Sequence, residues 1–227
     1  MPECEKQKLL EVGSVSVSSL PRSTIFFYKS GMTIDADGAP KAYHPNRRSG
    51  LDALGNAGNP GNWWALVTDT GRSDGNPIIQ GATDPAPGFY ISATSLQDKT
   101  KGVRDPRRYV DSTAIPYIVL PGAVLRKTGT KLGDFAAVVN NKNDKLSFAI
   151  FADGGPTGKL GEGSINLADV LGIPSSPRRG GASGDVIYIV FPGSGNGKPR
   201  AIGEINAEAQ RLFHGWGGTE QLKACFP

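Results

Sequence analysis

The sequence predicts a mainly β protein, a compact antiparallel sheet or barrel carrying two packed helices, with a double-psi barrel among the forms it allows. The first observation behind this is composition: 31 Gly and 17 Pro in 227 residues make about a fifth of the chain, against roughly an eighth in ordinary domains, too many helix breakers for a bundle. The second is patterning. The apolar segments are short, rich in Ile, Val, Phe and Tyr, and divided by Gly, Pro, Asn and Asp, the punctuation of antiparallel strands. The third is that only two stretches repeat their apolar residues at helical spacing.

Residues 1–23 read as an N-terminal extension to a single domain over 24–227. Within that domain eight strands are expected: Thr24 to Lys29, Asn62 to Thr68, Asn76 to Gln80, Gly88 to Thr94, Ile115 to Leu120, Phe135 to Asn140, Leu146 to Ala152 and Val186 to Phe191. Asn140 to Lys145 offers residues that tolerate left-handed backbone, so Phe135 to Ala152 should form a hairpin. The first helix starts at Ser164 as N-cap, shows Leu167, Val170 and Leu171 on one face, and stops at Gly172 and Pro174. The second repeats Ile205, Ala209, Leu212 and Phe213 and ends at Gly215. Between them, Pro174 to Gly184 reads as a long surface loop.

Hydrophobic residues at 38% suffice for a core, and no apolar run approaches the roughly 20 residues of a membrane helix. The start, MPECEKQKLLEVGS, lacks the basic-then-apolar pattern of a signal peptide. The net charge of +4 is scattered in short pairs without an aromatic-interleaved basic stripe, so neither nucleic acid nor a membrane is expected as a partner. Cys4 and Cys225 lie near the two ends, where a bridge could staple both termini in an oxidising compartment; two unpaired thiols fit the sequence nearly as well.

Several apparent signatures fail on inspection. Asp69-Thr70-Gly71 resembles an aspartic-protease triplet but is followed by Arg72, Ser73 and Asp74 in place of apolar residues. The loop Gly193 to Pro199 has Pro where a phosphate loop needs Ser or Thr. Asp35-Ala36-Asp37-Gly38 lacks the distal glutamate of a calcium loop, and His44 and His214 make no zinc spacing with the cysteines. No metal or other cofactor is expected.

A carboxylate pair remains. Asp153 ends a strongly apolar strand, a Gly- and Pro-rich loop follows, and Glu162 stands between Gly161 and Gly163 just before the helix cap. Such a loop can bring the two carboxylates to face each other across a groove, and the glycines would let a bulky polymer approach the backbone. Glycosidic hydrolysis needs this kind of pair, one group to protonate the leaving oxygen and one to activate water or attack the sugar. Glu162, beside apolar Leu160 and Ile165, is the better candidate for a raised pKa and the acid role. An Asp opening a Gly turn and a Glu at a helix N-terminus are also common structural devices. Asn59 to Trp64 puts Trp63 and Trp64 on opposite faces of a strand, one for the core and one as a platform for a pyranose ring. Tyr43, Asp35, Asp37, Asp84 and Tyr109 could line the same groove, although each also fits a turn or surface position.

These residues resemble the fungal-type chitosanases of glycoside hydrolase family 75. The resemblance is carried by Thr33 to Gly38, Leu51 to Trp64, Asp84 to Leu96, Arg108 to Asp111, Ile115 to Gly122, Leu132 to Asp134 and Asp153 to Ser164, in that order. It implies a secreted, metal-independent, endo-acting enzyme, expected as a monomer, that cleaves β-1,4 bonds of chitosan. It also implies an inverting mechanism with Glu162 as proton donor and Asp153 as base. Chitosan is a polycation below neutral pH, so Asp35, Asp37, Asp69, Asp84 and Asp111 are candidates for binding its ammonium groups. A non-catalytic polysaccharide-binding protein and a hydrolase of a related polymer such as chitin are the alternatives.

Overall fold

The structure, a computed structural model, describes residues 3–227. Its strands are β1 (Gln7–Val12), β2 (Val15–Ser19), β3 (Phe26–Asp35), β4 (Gly58–Asn59), β5 (Asn62–Trp63), β6 (Tyr117–Pro121), β7 (Phe135–Asn140), β8 (Lys145–Gly155), β9 (Glu162–Ser164) and β10 (Ala182–Phe191). Its α-helices are α1 (Gly122–Thr128), α2 (Ile165–Leu171), α3 (Ile202–Trp216) and α4 (Gly218–Cys225). The main sheet runs β1-β2-β3-β10-β7-β8-β6-β9, and β9 pairs back onto β3, which closes β3, β10, β7, β8, β6 and β9 into a six-stranded barrel. The mainly β barrel is as expected, but two of its seams, β6–β8 and β3–β9, are parallel where antiparallel pairing throughout was anticipated.

Alternation along the strands produces two apolar faces. Phe26, Tyr28, Met32, Ile34, Ile118, Leu120, Phe151, Val186, Tyr188 and Val190 pack together, with Leu167 and Leu171 of α2 against them. The intervening residues, among them Phe27, Tyr117, Val119, Ile150, Ile187 and Ile189, pack with Ile205, Ala209, Phe213 and Trp216 of α3. The β7–β8 hairpin forms as expected, with Asp144 in left-handed backbone at its turn. α2 is capped by Ser164, whose side chain accepts from Leu167 N, and stops at left-handed Gly172. α3 continues one residue past Gly215 and ends on left-handed Gly217.

Four helices replace the expected two, since α1 and α4 are short and carry little periodicity of their own. The segment before residue 24 holds the β1–β2 hairpin, which extends the sheet through β2–β3 pairing. Cys4 is disulfide-bonded to Cys225, so the hairpin end and α4 are tied together beside Phe27 and Trp216.

The largest departure is the excursion 36–116. The expected strands over 62–68, 76–80 and 88–94 reduce to the two-residue β5 and isolated bridges such as Leu66 with Ser92 and Ile79 with Tyr90. Gly, Pro and Asx residues recur too often there for a continuous ladder, and the excursion is held by its own small cores. One gathers Ala36, Ala39, Ala42, Tyr43, Ala57, Trp63 and Leu66, and another Val67, Ile91 and Tyr109.

Candidate active site

The excursion folds over the strip β3–β9–β6–β8 and leaves a cleft of about 560 Å³, within the range of ligand sites. Its lining includes Asp35, Asp37, Tyr43, Asp52, Trp64, Val119, Asp153, Lys159 and Glu162. β9 is only three residues long, yet Glu162 is paired on both sides, with Thr33 of β3 and Val119 of β6. Val119 pairs in turn with Asp153 of β8. Thr33, Glu162, Val119 and Asp153 therefore form one cross-strand row, with the two carboxylates flanking Val119.

The row exists because of a bulge. Phe151 pairs with Ile118 and Asp153 with Val119, so Ala152 is an extra residue in β8. Strict alternation from Phe151 would have put Asp153 among Ile118 and Leu120 in the core; the extra residue turns it to the cleft, a recurrent use of bulges.

The glycines beside Glu162 are closely packed within the barrel. Gly161 has φ +90°, and a Cβ there would lie 2.3 Å from the Gly31 carbonyl oxygen. A Cβ at Gly163 would lie 2.8 Å from Leu167 Cδ2. Gly161 thus lets the chain pass against β3, and Gly163 lets it pass beneath α2.

Asp153 is buried, and three donors meet at its Oδ1: Ser95 N–H at 3.1 Å, Ser95 Oγ–H at 2.5 Å and Gly154 N–H at 2.7 Å. Burial nevertheless raises its pKa to about 6, against the opposing pull of these hydrogen bonds. Glu162 accepts no hydrogen bond from a side chain among the described residues. Burial pushes its pKa up, with the charges of Asp153 and Asp52 adding to it and Lys159 opposing. Asp35 is driven well above its ordinary value by burial and then by Asp153 and Glu162; Asp37 rises through burial and then the charges of Asp35 and Asp153, resisted by the Tyr43 hydroxyl that donates to it at 2.7 Å. Carboxylate oxygens of Asp35, Asp37 and Asp153 lie within 4.8 Å of one another, close enough to share a cation or, equally, to hold protons between them.

Of the residues predicted for the groove, Asp35, Asp37, Tyr43 and Trp64 line the cleft with the pair. Trp63 is buried in the core of the excursion, whereas Trp64 is 59% exposed and its Nε1 donates to Asn56 O at 2.9 Å, so the adjacent indoles do face opposite ways. The remaining predicted residues lie elsewhere. Asp69 accepts from Asn76 N and Nδ2, Asp84 from Gly81 N, and Asp111 from Thr113 N and Oγ1. Each carboxylate closes a local turn, the ordinary use of Asp in such sequence. Tyr109 packs on Val67 and Ile91, with its hydroxyl donating to Val103 O.

Two residues were missed. Asp52, buried at the cleft wall, accepts from Asn56 Nδ2 with both oxygens, and Ser95 anchors Asp153. Both fall in stretches that carry the family resemblance, Leu51 to Trp64 and Asp84 to Leu96, and that was the available signal. Arg178 of the loop after α2 also donates to Arg47 O, Gly50 O and Asp52 O, joining Pro177 on one rim of the cleft to the wall that holds Asp52.

No curated protein matches the chain. A family model does, over residues 66–215, which span Ser95, Asp153, Glu162 and the strands β6, β8 and β9. An acidic cleft with paired carboxylates on adjoining seams of a barrel and a family match over most of the domain lead to one assignment: the chain belongs to the fungal chitosanases of glycosyl hydrolase group 75.

Proposed function

We propose that the protein is an endo-acting chitosanase that hydrolyses β-1,4 bonds between glucosamine units with inversion, Glu162 serving as general acid and Asp153 as general base. Residues 24–227 act as the catalytic domain of a secreted monomer that needs no cofactor, with chitosan as its partner.

The observation that carries this reading is the shared pairing of Asp153 and Glu162 with Val119. Two strand spacings separate their backbones by about 10 Å. That spacing suits the roughly 6.5–9.5 Å between carboxyls in inverting enzymes, which leaves room for a water, better than the ~5 Å of retaining ones. The division of roles follows from the donors. Hydrogen bonds from Ser95 and Gly154 favour the ionised form of Asp153, as a base requires. Glu162 has burial without such donors, which favours the neutral acid.

In the reaction, Glu162 gives its proton to the glycosidic oxygen as the bond to the anomeric carbon breaks. Asp153 takes a proton from water as its oxygen attacks that carbon from the opposite face. Asp35, Asp37 and Asp52 offer carboxyls to a glucosamine ammonium, whose positive charge would favour the ionised forms that burial and mutual repulsion disfavour at Asp35 and Asp37, although the protein as a whole is basic. Trp64 offers its exposed ring to a pyranose face.

The test is reducing-end release from soluble chitosan at mildly acidic pH by the parent protein and by folded Asp153→Asn and Glu162→Gln, with the anomer of the first product read by proton NMR. An active parent giving the α-anomer and two variants reduced at least about a hundredfold are expected. Binding without turnover would replace the reading with a polysaccharide-binding protein, and a β-anomer would replace inversion with retention.

A further inference from the structure

Asp153 follows a bulge and lies beyond the last residue at which β8 pairs with β7, so one side of its backbone has no strand neighbour. What fixes it comes from far away in the sequence. Leu96 N–H donates to the carbonyl of Ala152, the extra residue of the bulge, at 2.8 Å, and the Leu96 side chain is buried with Ala152 in the core. Thr94 is buried, its hydroxyl donates to Leu96 O at 2.8 Å and accepts from Val110 N–H at 3.0 Å. Ser95 is therefore held on both sides before it touches Asp153. Its N–H and hydroxyl both reach Oδ1, and its Oγ also accepts from Gly154 N–H at 3.3 Å. Among the described residues Asp153 Oδ2 takes no hydrogen bond.

Resting on the chitosanase reading above, we infer that Ser95 is a positioning residue for the reaction: it holds Asp153 by Oδ1 as the carboxylate and leaves Oδ2 to accept the proton of the attacking water. With the hydroxyl gone, a carboxylate facing Asp35 and Asp37 from the end of β3 and the turn after it, Glu162 from β9 and the Tyr117 hydroxyl from β6, with Lys159 of the following loop opposing from the same cleft, would bind a proton more readily although the N–H groups of Ser95 and Gly154 still donate. Its base form would then appear only at a higher pH than in the wild type. The same double grip closes a local turn where Thr113 holds Asp111, but Ser95 reaches its carboxylate across 58 residues of sequence, so no local turn accounts for it.

The experiment compares wild type, Ser95→Ala and Ser95→Thr for kcat and KM across pH 4 to 8, alongside carbon-13 NMR titration of the Asp153 carboxyl. Ser95→Ala should lower kcat about tenfold or more with KM within about twofold, and move both the acidic limb of kcat and the carboxyl titration up by about one pH unit. Ser95→Thr, which keeps the hydroxyl and the N–H, should restore most of the rate and return the limb. Unchanged kcat and limb in Ser95→Ala, or equal loss in both variants with no movement of the titration, overturns the inference. If Ser95→Ala does not fold, Ser95→Cys, similar in volume but a weak donor, reads the same limb. A wild type that releases no reducing ends defeats the chitosanase reading and with it the catalytic half of the inference, while the titration still decides whether Ser95 sets the state of Asp153.

Discussion

Removing the charge at Asp153 should destroy activity and yet stabilise the protein, with a pH dependence that identifies the cause. The carboxyl ordinarily titrates at 3.8 and in the fold at about 6, because burial outweighs its three hydrogen bonds. A raised carboxyl keeps its proton in the folded state longer than in the unfolded chain. Its favourable contribution is complete below pH 3.8 and is lost as pH rises through 6. The gap between the two values corresponds to about 3 kcal/mol of strain at pH 7. Asp153→Asn keeps an oxygen that can accept from Ser95 and Gly154 but carries no charge, so that strain is absent. Asp35 and Asp37 also lose a repelling neighbour, which acts in the same direction. For a chain of 227 residues about 3 kcal/mol amounts to a Tm roughly 6–12 °C higher at pH 7. The assay is thermal unfolding of wild type and Asp153→Asn in steps from pH 3.5 to 7.5. The two curves should converge at the acidic end, part between pH 3.8 and 6, and stay apart by a constant amount above that. A variant that is less stable at pH 7, or a gap of the same size at every pH, would refute the account of a strained, buried base.

Trp64→Ala should fold normally, since the ring is 59% exposed, and raise KM for the polymer about tenfold with kcat little changed, as measured by reducing-end kinetics. Arg178→Ala removes the donor shared by the carbonyls of Arg47, Gly50 and Asp52; KM should rise several-fold with kcat within about twofold, and limited proteolysis should cut sooner between Pro174 and Gly184. The double variant Cys4→Ser, Cys225→Ser should lose about 2–5 kcal/mol of stability in chemical denaturation while retaining full activity at 25 °C, because the bridge lies beside Phe27 and Trp216 and away from the cleft.

The parts of this molecule that could be read from its sequence are those whose signals are local. The β7–β8 hairpin has apolar runs on both sides of an Asn- and Asp-rich turn, and α2 has its cap, its face and its stop within a few residues. Asp153 and Glu162 stood out because a strongly apolar strand runs straight into a Gly- and Pro-rich loop. What could not be read depends on distant partners. β9 is a strand only because β3 and β6 pair with it from either side, and three residues carry no periodicity. The bulge at Ala152 is a matter of register between β8 and β6, invisible in either strand alone. Asp52 owes its place in the cleft wall to Asn56 and to Arg178, more than a hundred residues away. Asp69, Asp84 and Asp111, weighed for their charge, each accept from a backbone N–H within seven residues and lie outside the lining of this cleft.

The three residues of β9 give the barrel its last seam, and one of them is the proposed acid. Closure of the scaffold and assembly of the chemistry are thus the same event. Partial opening at this seam would leave the β10–β7–β8 ladder and α3 intact, so heating should abolish turnover before it abolishes circular dichroism. Amide protons of β9 should likewise exchange ahead of those of β7. In such a protein the loss of activity on warming measures the zipping of one short strand, and improved heat tolerance is to be sought in the packing of Gly161 and Gly163 against β3 and α2, before any change to the large hydrophobic core.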